Sequence, residues 1–154
     1  MIKINVISYD KLLKKTIRNP QNYFDNKVKL LNSKTNLFKK KRLICSLLLS
    51  NSKEIKRLNK RFRKKNKSTD VLSFPFYKKK ELYEIIKREK EIYIGDIIIN
   101  LDMLNRIKPV SNFKKNLNTL WIHGLVHLFG YKHQRLKDYK SMNKLEKKYL
   151  QCLN

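Results

Sequence analysis

The sequence is poor in several residues whose abundance would define particular classes of protein. It has three glycines and three prolines among 154 residues, which excludes collagen-like and linker-rich chains. Its two cysteines, Cys45 and Cys152, form no C-x-x-C pair, and Cys45 lies in the apolar run 43–49. A buried free thiol in a reducing compartment is therefore expected. Apolar runs all fall short of the roughly 18 residues of a membrane span, and the first ten residues lack a signal-peptide pattern, so a cytoplasmic protein without a membrane partner is expected.

Acidic residues are also scarce. The chain has 12 Asp and Glu against 38 Lys and Arg, a net charge of +26, and such a surface attracts polyanions, including nucleic acids. Lysine supplies 30 of the 38 cations, and a genome rich in A and T would enrich lysine without selection for binding. The eight arginines are therefore more informative. Hydrophobic residues make up 41% of the chain, which is enough for a folded core.

The hydrophobic pattern predicts strands and helices that do not alternate strictly, which indicates one α+β domain over residues 1–154. Strands are predicted over residues 2–8, 42–49, 70–76 and 92–99. Helices are predicted over residues 25–38, 53–63, 112–129 and 138–151. A sheet of about four strands, mixed in direction and covered by helices, follows from this pattern.

Several local signals refine these elements. Gly95 inside the last strand suggests a bulge or a close backbone approach. The helix over 53–63 would place Ile55, Leu58 and Phe62 on one face. Residues 9–24 are expected to form a loop or a short helix, and the charged segment 77–90 has some helical character.

All three histidines of the chain fall between residues 123 and 133. His123 and His127 are four residues apart on a predicted helix, so their rings project from one face. Gly130 can adopt a left-handed conformation and end the helix, so that the chain turns and His133 returns to the same point. Three histidines with a fourth position left for water are the ligands of a catalytic zinc site. The spacing predicts one zinc ion per chain at the end of the long helix.

Two other interpretations of these histidines are weaker. A single histidine on an amphipathic helix is usually a core or surface residue, but the triplet with Gly130 in place is hard to explain that way. In zinc proteases with this His spacing a glutamate follows the first histidine and acts as general base. Here Gly124 occupies that position, and no carboxylate occurs from residue 103 to 137. A protease is therefore rejected.

The motif His123-Gly124-x-x-His127-Leu128-x-Gly130-Tyr131-x-His133 resembles the signature of the YbeY family, the single-strand-specific endoribonucleases of ribosomal RNA maturation. The segment 69–75, T-D-V-L-S-F-P, preceded by Leu58-Asn59 and Arg63, is similar to that family's mid-chain block. Further matches in order are Gly95-Asp96-Ile97, Met142, Leu145 and Glu146. The resemblance covers roughly residues 43 to 150.

This resemblance implies an α+β fold, a zinc ion held by the three histidines and a cytoplasmic setting. It also implies single-stranded ribosomal RNA as substrate, late processing of the small ribosomal subunit, and the ribosome or ribosomal proteins as partners. Arg63, by its spacing to Thr69, takes the place of the family's functional arginine, and a guanidinium can neutralise charge that develops on a phosphate. Without the resemblance, the alternative for Arg63 is a solvated position in the charge run 60–67. Lys132 departs from the family, which usually has Asp there.

The predicted function is metal-assisted cleavage of phosphodiester bonds in single-stranded RNA, although no general base is apparent near the histidines. Aromatic residues that could stack on bases, although most are expected to pack in the core, are Tyr77, Tyr83, Tyr93, Phe74 and Phe76. The alternative is a non-enzymatic ribosome-assembly factor that binds rRNA or ribosomal protein and uses zinc for its fold. A basic nucleic-acid module without a metal does not explain the histidine cluster.

Overall fold

The structure of the protein is a computed structural model that describes residues 1–8, 16–35, 40–106, 112–133 and 135–153. The strands are β1 (Ile2–Ser8), β2 (Arg42–Ser50), β3 (Val71–Pro75) and β4 (Glu91–Asn100). The helices are α1 (Pro20–Lys34), α2 (Ser52–Arg63), α3 (Lys79–Arg88), α4 (Leu101–Asn105), α5 (Phe113–Leu128) and α6 (Leu136–Cys152). Residues 9–15 lie outside the described residues, as do the last three residues of the helix predicted over 25–38.

The four strands form one mixed sheet in the order β1-β2-β4-β3. β1, β2 and β4 are parallel, and β3 runs antiparallel to β4 at the edge of the sheet. This arrangement confirms the predicted α+β class with a four-stranded mixed sheet. None of the helices in the described ranges is long and apolar enough to cross a lipid bilayer.

The bulge predicted in the last strand is present in β4. The register between β2 and β4 shifts at Ile44 and Cys45, and Gly95 has a φ of 131°. A Cβ atom at Gly95 would collide with the carbonyl oxygen of Phe74 on the neighbouring strand. Glycine is therefore required at this point, and the bulge allows β3 to lie close against β4.

The two faces of the sheet are covered to different extents. Helices α1, α5 and α6 enclose the main core on the inner face, where Trp121 of α5 is fully buried and meets Phe24 of α1 edge to face at 5.9 Å. On the outer face, α2 covers a smaller cluster formed by Ile55, Leu72 and Ile98. The long helix α5 is thus fixed against the sheet along its length, which gives a rigid support for the histidines.

The first helix starts earlier than the sequence indicated. Residues 9–24 were expected to form a loop or a short helix, and residues 20–24 belong to the longer helix α1, of which Pro20 is the first residue. Asn19 caps the helix, since its side chain accepts a hydrogen bond from the backbone N–H of Asn22. Proline suits the first helical position, where its missing N–H is not needed. The helical character expected within 77–90 is confirmed by α3.

Candidate active site

Helix α5 carries the first two histidines. Its apolar side packs so closely on the sheet that a Cβ at Gly124 would lie 2.6 Å from Cγ2 of Ile97. Gly124, at the position where the protease motif has a glutamate, therefore allows the helix to lie close against β4. His123 and His127 are half-buried next to this contact. Their rings meet edge to face, with centroids 4.5 Å apart, as the spacing of four residues predicts.

The end of α5 brings the third histidine back to the first two. Gly130 has a φ of 81°, and its N–H donates to the carbonyl of His127, while the N–H of Tyr131 donates to the carbonyl of Val126. A left-handed glycine with such bonds is a common helix end. The ring centroid of His133 then lies 5.6 Å from that of His123 and 5.1 Å from that of His127. The predicted turn at Gly130 is confirmed.

The three histidines lie close enough to hold a metal ion. One ring nitrogen of each lies within 4.8 Å of the others, and the Nε2 atoms of His123 and His127 are 3.0 Å apart. Tetrahedral zinc with bonds of about 2.0–2.1 Å separates its ligand nitrogens by roughly 3.3 Å. His123 and His127 are therefore near ligand spacing, and the exposed ring of His133 has room to adjust.

Hydrogen bonds to the opposite ring nitrogens fix the tautomers of this pair. Nδ1 of His127 lies 2.8 Å from the carbonyl oxygen of Tyr131, which only accepts, so Nδ1 carries the proton. Nδ1 of His123 lies 2.8 Å from Oε1 of Glu146 and donates to it in the same way. Both Nε2 atoms therefore present lone pairs to each other at 3.0 Å. Two facing lone pairs repel unless a cation lies between them, so the donor set fits a metal ion.

Burial and neighbouring charge also favour the form of histidine that binds metals. Burial is the main cause that lowers the pKa of His127 to about 4, and the nearby charges of His123, His133 and Arg63 lower it further. The bond to the Tyr131 carbonyl opposes this shift. The imidazole is consequently neutral at pH 7, as a metal ligand must be.

Glu146 places a carboxylate beside the histidines, where no general base was apparent from the sequence. It comes from α6, which packs against α5, and its side chain is only 20% exposed. Its position four residues after the buried Met142 and three before the buried Tyr149 places it on the inward side of α6. A carboxylate on the buried face of an amphipathic helix usually has a buried partner, so the sequence did contain a signal for this contact.

Arg63, the predicted catalytic arginine, lies close enough to the cluster for its charge to act on His127. It is the last residue of α2, and its Nη2 donates to the carbonyl oxygen of Ser73 on the edge strand β3 at 2.9 Å. Its guanidinium carbon lies 5.8 Å from the ring centroid of Phe74, and its charge reaches His127. Arg63 remains exposed, so a ligand can reach it. Its catalytic role stays a prediction.

Other basic groups surround the turn that carries His133. Nζ of Lys79, in the first turn of α3, lies 3.9 Å from the ring centroid of Tyr131. Lys132, the residue that departs from the family pattern, is exposed next to His133. The arginine and lysines around the histidine cluster can bind an anion such as phosphate.

Fold and site together define a class: an α+β protein with a three-histidine cluster, close enough to hold a metal ion, at the end of a long helix. A family model described as Endoribonuclease YbeY matches residues 6–154. Endoribonuclease YbeY of Pelagibacter ubique is 43% identical over 95% of this chain and 92% of the relative. That of Ehrlichia canis is 36% identical over 99% of this chain and 93% of the relative. The solution structure of a protein from Thermotoga maritima has a TM-score of 0.58 and 26% identity, and the match covers 99% of this chain and 89% of that one. The chain belongs to the Endoribonuclease YbeY family.

Proposed function

We propose that this protein is a metal-dependent endoribonuclease that cleaves single-stranded RNA, and that its substrate is ribosomal RNA during late maturation of the small subunit, with the ribosome or ribosomal proteins as partners. The observation that carries the proposal is the cluster of His123, His127 and His133, whose ring nitrogens lie close enough to hold one metal ion, with the charge of Arg63 within reach of His127. His123, His127 and His133 would hold the ion, for which zinc suits a donor set of imidazoles.

When bound, the ion supplies a Lewis acid that polarises a phosphoryl oxygen. The chain's own groups prepare the site for that chemistry. Glu146 holds His123 and the Tyr131 carbonyl holds His127, each in the tautomer that directs Nε2 inward. These contacts also fix the ring orientations, so little reorganisation is needed when substrate binds.

Arg63 would bind the phosphate and neutralise the charge that develops on it. The Ser73 carbonyl holds one Nη2–H, which leaves other N–H groups of the guanidinium free to donate to two phosphate oxygens. The guanidinium stays charged at every working pH, and a planar fork matches a phosphate in a way that a lysine does not. Its contact would strengthen in the transition state, where the phosphate carries more charge.

A flexible single strand fits this site better than a duplex. His123 and His127 are half-buried, so a phosphate must approach closely to reach them, and a single strand bends for that at lower cost than a rigid helix. The net charge of +26 would attract the strand, and affinity would fall with salt by about 0.7 in the log–log slope for each phosphate neutralised.

The alternative, a non-enzymatic assembly factor, is not favoured, because the relatives named above are endoribonucleases. The test is single-turnover cleavage of a single-stranded ribosomal RNA fragment and its matched duplex by protein purified without a His tag. The protein is stripped with a chelator and measured before and after zinc is restored. We expect cleavage of the single strand only, and only with zinc. Equal cleavage by His127→Ala would reveal a contaminating nuclease, and no cleavage by the zinc-loaded protein would favour the assembly factor.

A further inference from the structure

Exposed aromatic rings form a row on the outer side of the sheet next to the active site. Phe62 lies in the last turn of α2, Phe74 lies on β3 and Phe76 follows that strand; these three residues are called the aromatic row. Phe62 is 58% exposed and Phe76 is 66% exposed. The rings of Phe62 and Phe74 are 5.4 Å apart, and Phe76 continues to Tyr93 at 6.3 Å. Phe62 was expected to share a helix face with Ile55 and Leu58; its ring contacts Phe74 at the edge of that cluster but is largely exposed.

None of the three residues of the aromatic row is among the buried residues of the core on either face of the sheet. On this face α2 buries Ile55, Leu72 and Ile98, while Phe74 only packs against their margin. Phe62 and Phe76 are both largely exposed, one in contact with Phe74 and the other two residues beyond it along the chain, and exposed apolar surface of this kind is typical of binding sites. We therefore expect a ligand to bind on the aromatic row, and the neighbouring charged groups indicate the chemistry of that ligand.

Positive charge lies directly on these rings. The guanidinium of Arg61 lies 5.3 Å from the ring centroid of Phe62, and that of Arg63 lies 5.8 Å from that of Phe74. The exposed lysines nearby in the chain are Lys60, Lys64 and Lys65. One acid, Asp96, lies opposite Phe74 in the register of β3 and β4 and accepts a hydrogen bond from the hydroxyl of Tyr93. A ligand that matches aromatic rings set among arginines carries flat apolar faces and negative charge together, which describes single-stranded nucleic acid.

The row is continuous with the active site through Arg63. This guanidinium lies 5.8 Å from the ring centroid of Phe74 and donates to the carbonyl of Ser73 on β3, the strand against which the histidine-bearing helix α5 packs, so it borders both surfaces. Phe74 and Phe76 are two residues apart along an extended chain, about 6.6 Å, which is about twice the 3.4 Å step between stacked bases. A strand with one phosphate at Arg63 therefore has its neighbouring bases within reach of the rings.

We propose that Phe62 and Phe76, on either side of Phe74, stack on bases that flank the phosphate held at Arg63 and the histidines. The aromatic row is thus a base-stacking subsite for single-stranded RNA. This inference rests on the proposed function for its ligand, but it concerns a surface outside the metal site. It also explains how the protein can prefer single strands, because the bases of a duplex are stacked on each other and offer no free face.

The test measures binding apart from cleavage. All proteins in the test carry His127→Ala as their background. The fluorescence anisotropy of a labelled single-stranded RNA about eight nucleotides long is measured as increasing amounts of Phe62→Ala, Phe76→Ala or the double variant are added. Each single change should weaken binding about tenfold, which corresponds to about 1.4 kcal/mol. Tyr139→Ala is the matched control, since Tyr139 is 53% exposed on α6. It should bind as the background does.

Two further variants distinguish base stacking from apolar docking of a protein. Phe76→Trp should retain affinity, and RNA should quench its fluorescence, because the only natural tryptophan, Trp121, is fully buried. Phe76→Leu keeps an apolar side chain without a ring and should bind as weakly as Phe76→Ala. An abasic strand of the same length should bind all these variants alike.

Undiminished RNA binding by the double variant would overturn the subsite. So would wild-type-like binding by Phe76→Leu, which would indicate a protein partner, or an equal loss with the abasic strand. If binding depends on the row but the zinc-loaded wild type does not cleave RNA, the proposed function fails and the subsite stands. If the wild type cleaves and both phenylalanine variants bind normally, the subsite alone fails.

Discussion

Removal of Glu146 should weaken zinc binding, because its carboxylate holds His123 in the tautomer that a metal needs. Oε1 lies 2.8 Å from Nδ1 of His123, and the two side chains are 20% and 29% exposed. Loss of such an outer contact typically lowers metal affinity about 10- to 100-fold, or about 1.4–2.7 kcal/mol. Since both groups are partly solvated, we expect Glu146→Ala to fall near the tenfold end. Glu146→Gln keeps an acceptor oxygen and should lose less.

The assay is competition for zinc between the stripped protein and a chromophoric chelator. Glu84→Ala is the matched control, because Glu84 is an exposed carboxylate that pairs with Lys87 on α3 and makes no contact with the histidines. It removes the same charge and should leave the zinc Kd unchanged. The reasoning is refuted if Glu146→Ala binds zinc as tightly as the wild type. An equal loss in Glu84→Ala would show that net charge, and not the bond to His123, sets the affinity.

Three other outcomes follow from particular contacts. Arg63→Ala should slow single-turnover cleavage about 10²–10³-fold with little loss of RNA affinity, and Arg63→Lys should not fully restore the rate; a normal rate with weaker binding would remove Arg63 from the chemistry. Gly124→Ala should destabilise the fold by about 1–3 kcal/mol in urea unfolding, because its Cβ would press on Ile97, while Thr119→Ala on the exposed side of α5 should not. Cys45 should resist iodoacetamide in the native protein, since burial raises the pKa of its thiol to about 12; rapid labelling before unfolding would contradict its burial.

Much of the fold could be predicted because its signals are local. Alternation at Ile2 and Ile4, the apolar run in β2 and the β-branched residues of β4 each indicate a strand without reference to the rest of the chain. The start of α1 was missed because Pro20 both ends helices and begins them, and only the cap from Asn19 distinguishes the two.

The residues of the site likewise differ in whether local sequence was sufficient to predict them. The histidines lie in one short segment, so their spacing and Gly130 were sufficient to predict the cluster. Glu146 lies 23 residues from His123, and its contact depends on how α6 packs on α5. Arg63 is on another helix altogether, so only the family resemblance could associate it with the histidines. The exposure of Phe62 likewise depends on where α2 meets the sheet, which helical periodicity does not contain.

The three-histidine metal site is tested most directly by the metal content of protein purified without a His tag, with RNA cleavage measured on the same samples. We expect about one zinc per chain in the wild type, with single-stranded RNA cleaved. In the His123→Ala, His127→Ala double variant, both the metal and the cleavage should be lost while the fold, followed by circular dichroism, is retained. Zinc that stays near one per chain in a folded double variant, or cleavage that continues without it, would contradict the three-histidine site as the centre of this enzyme.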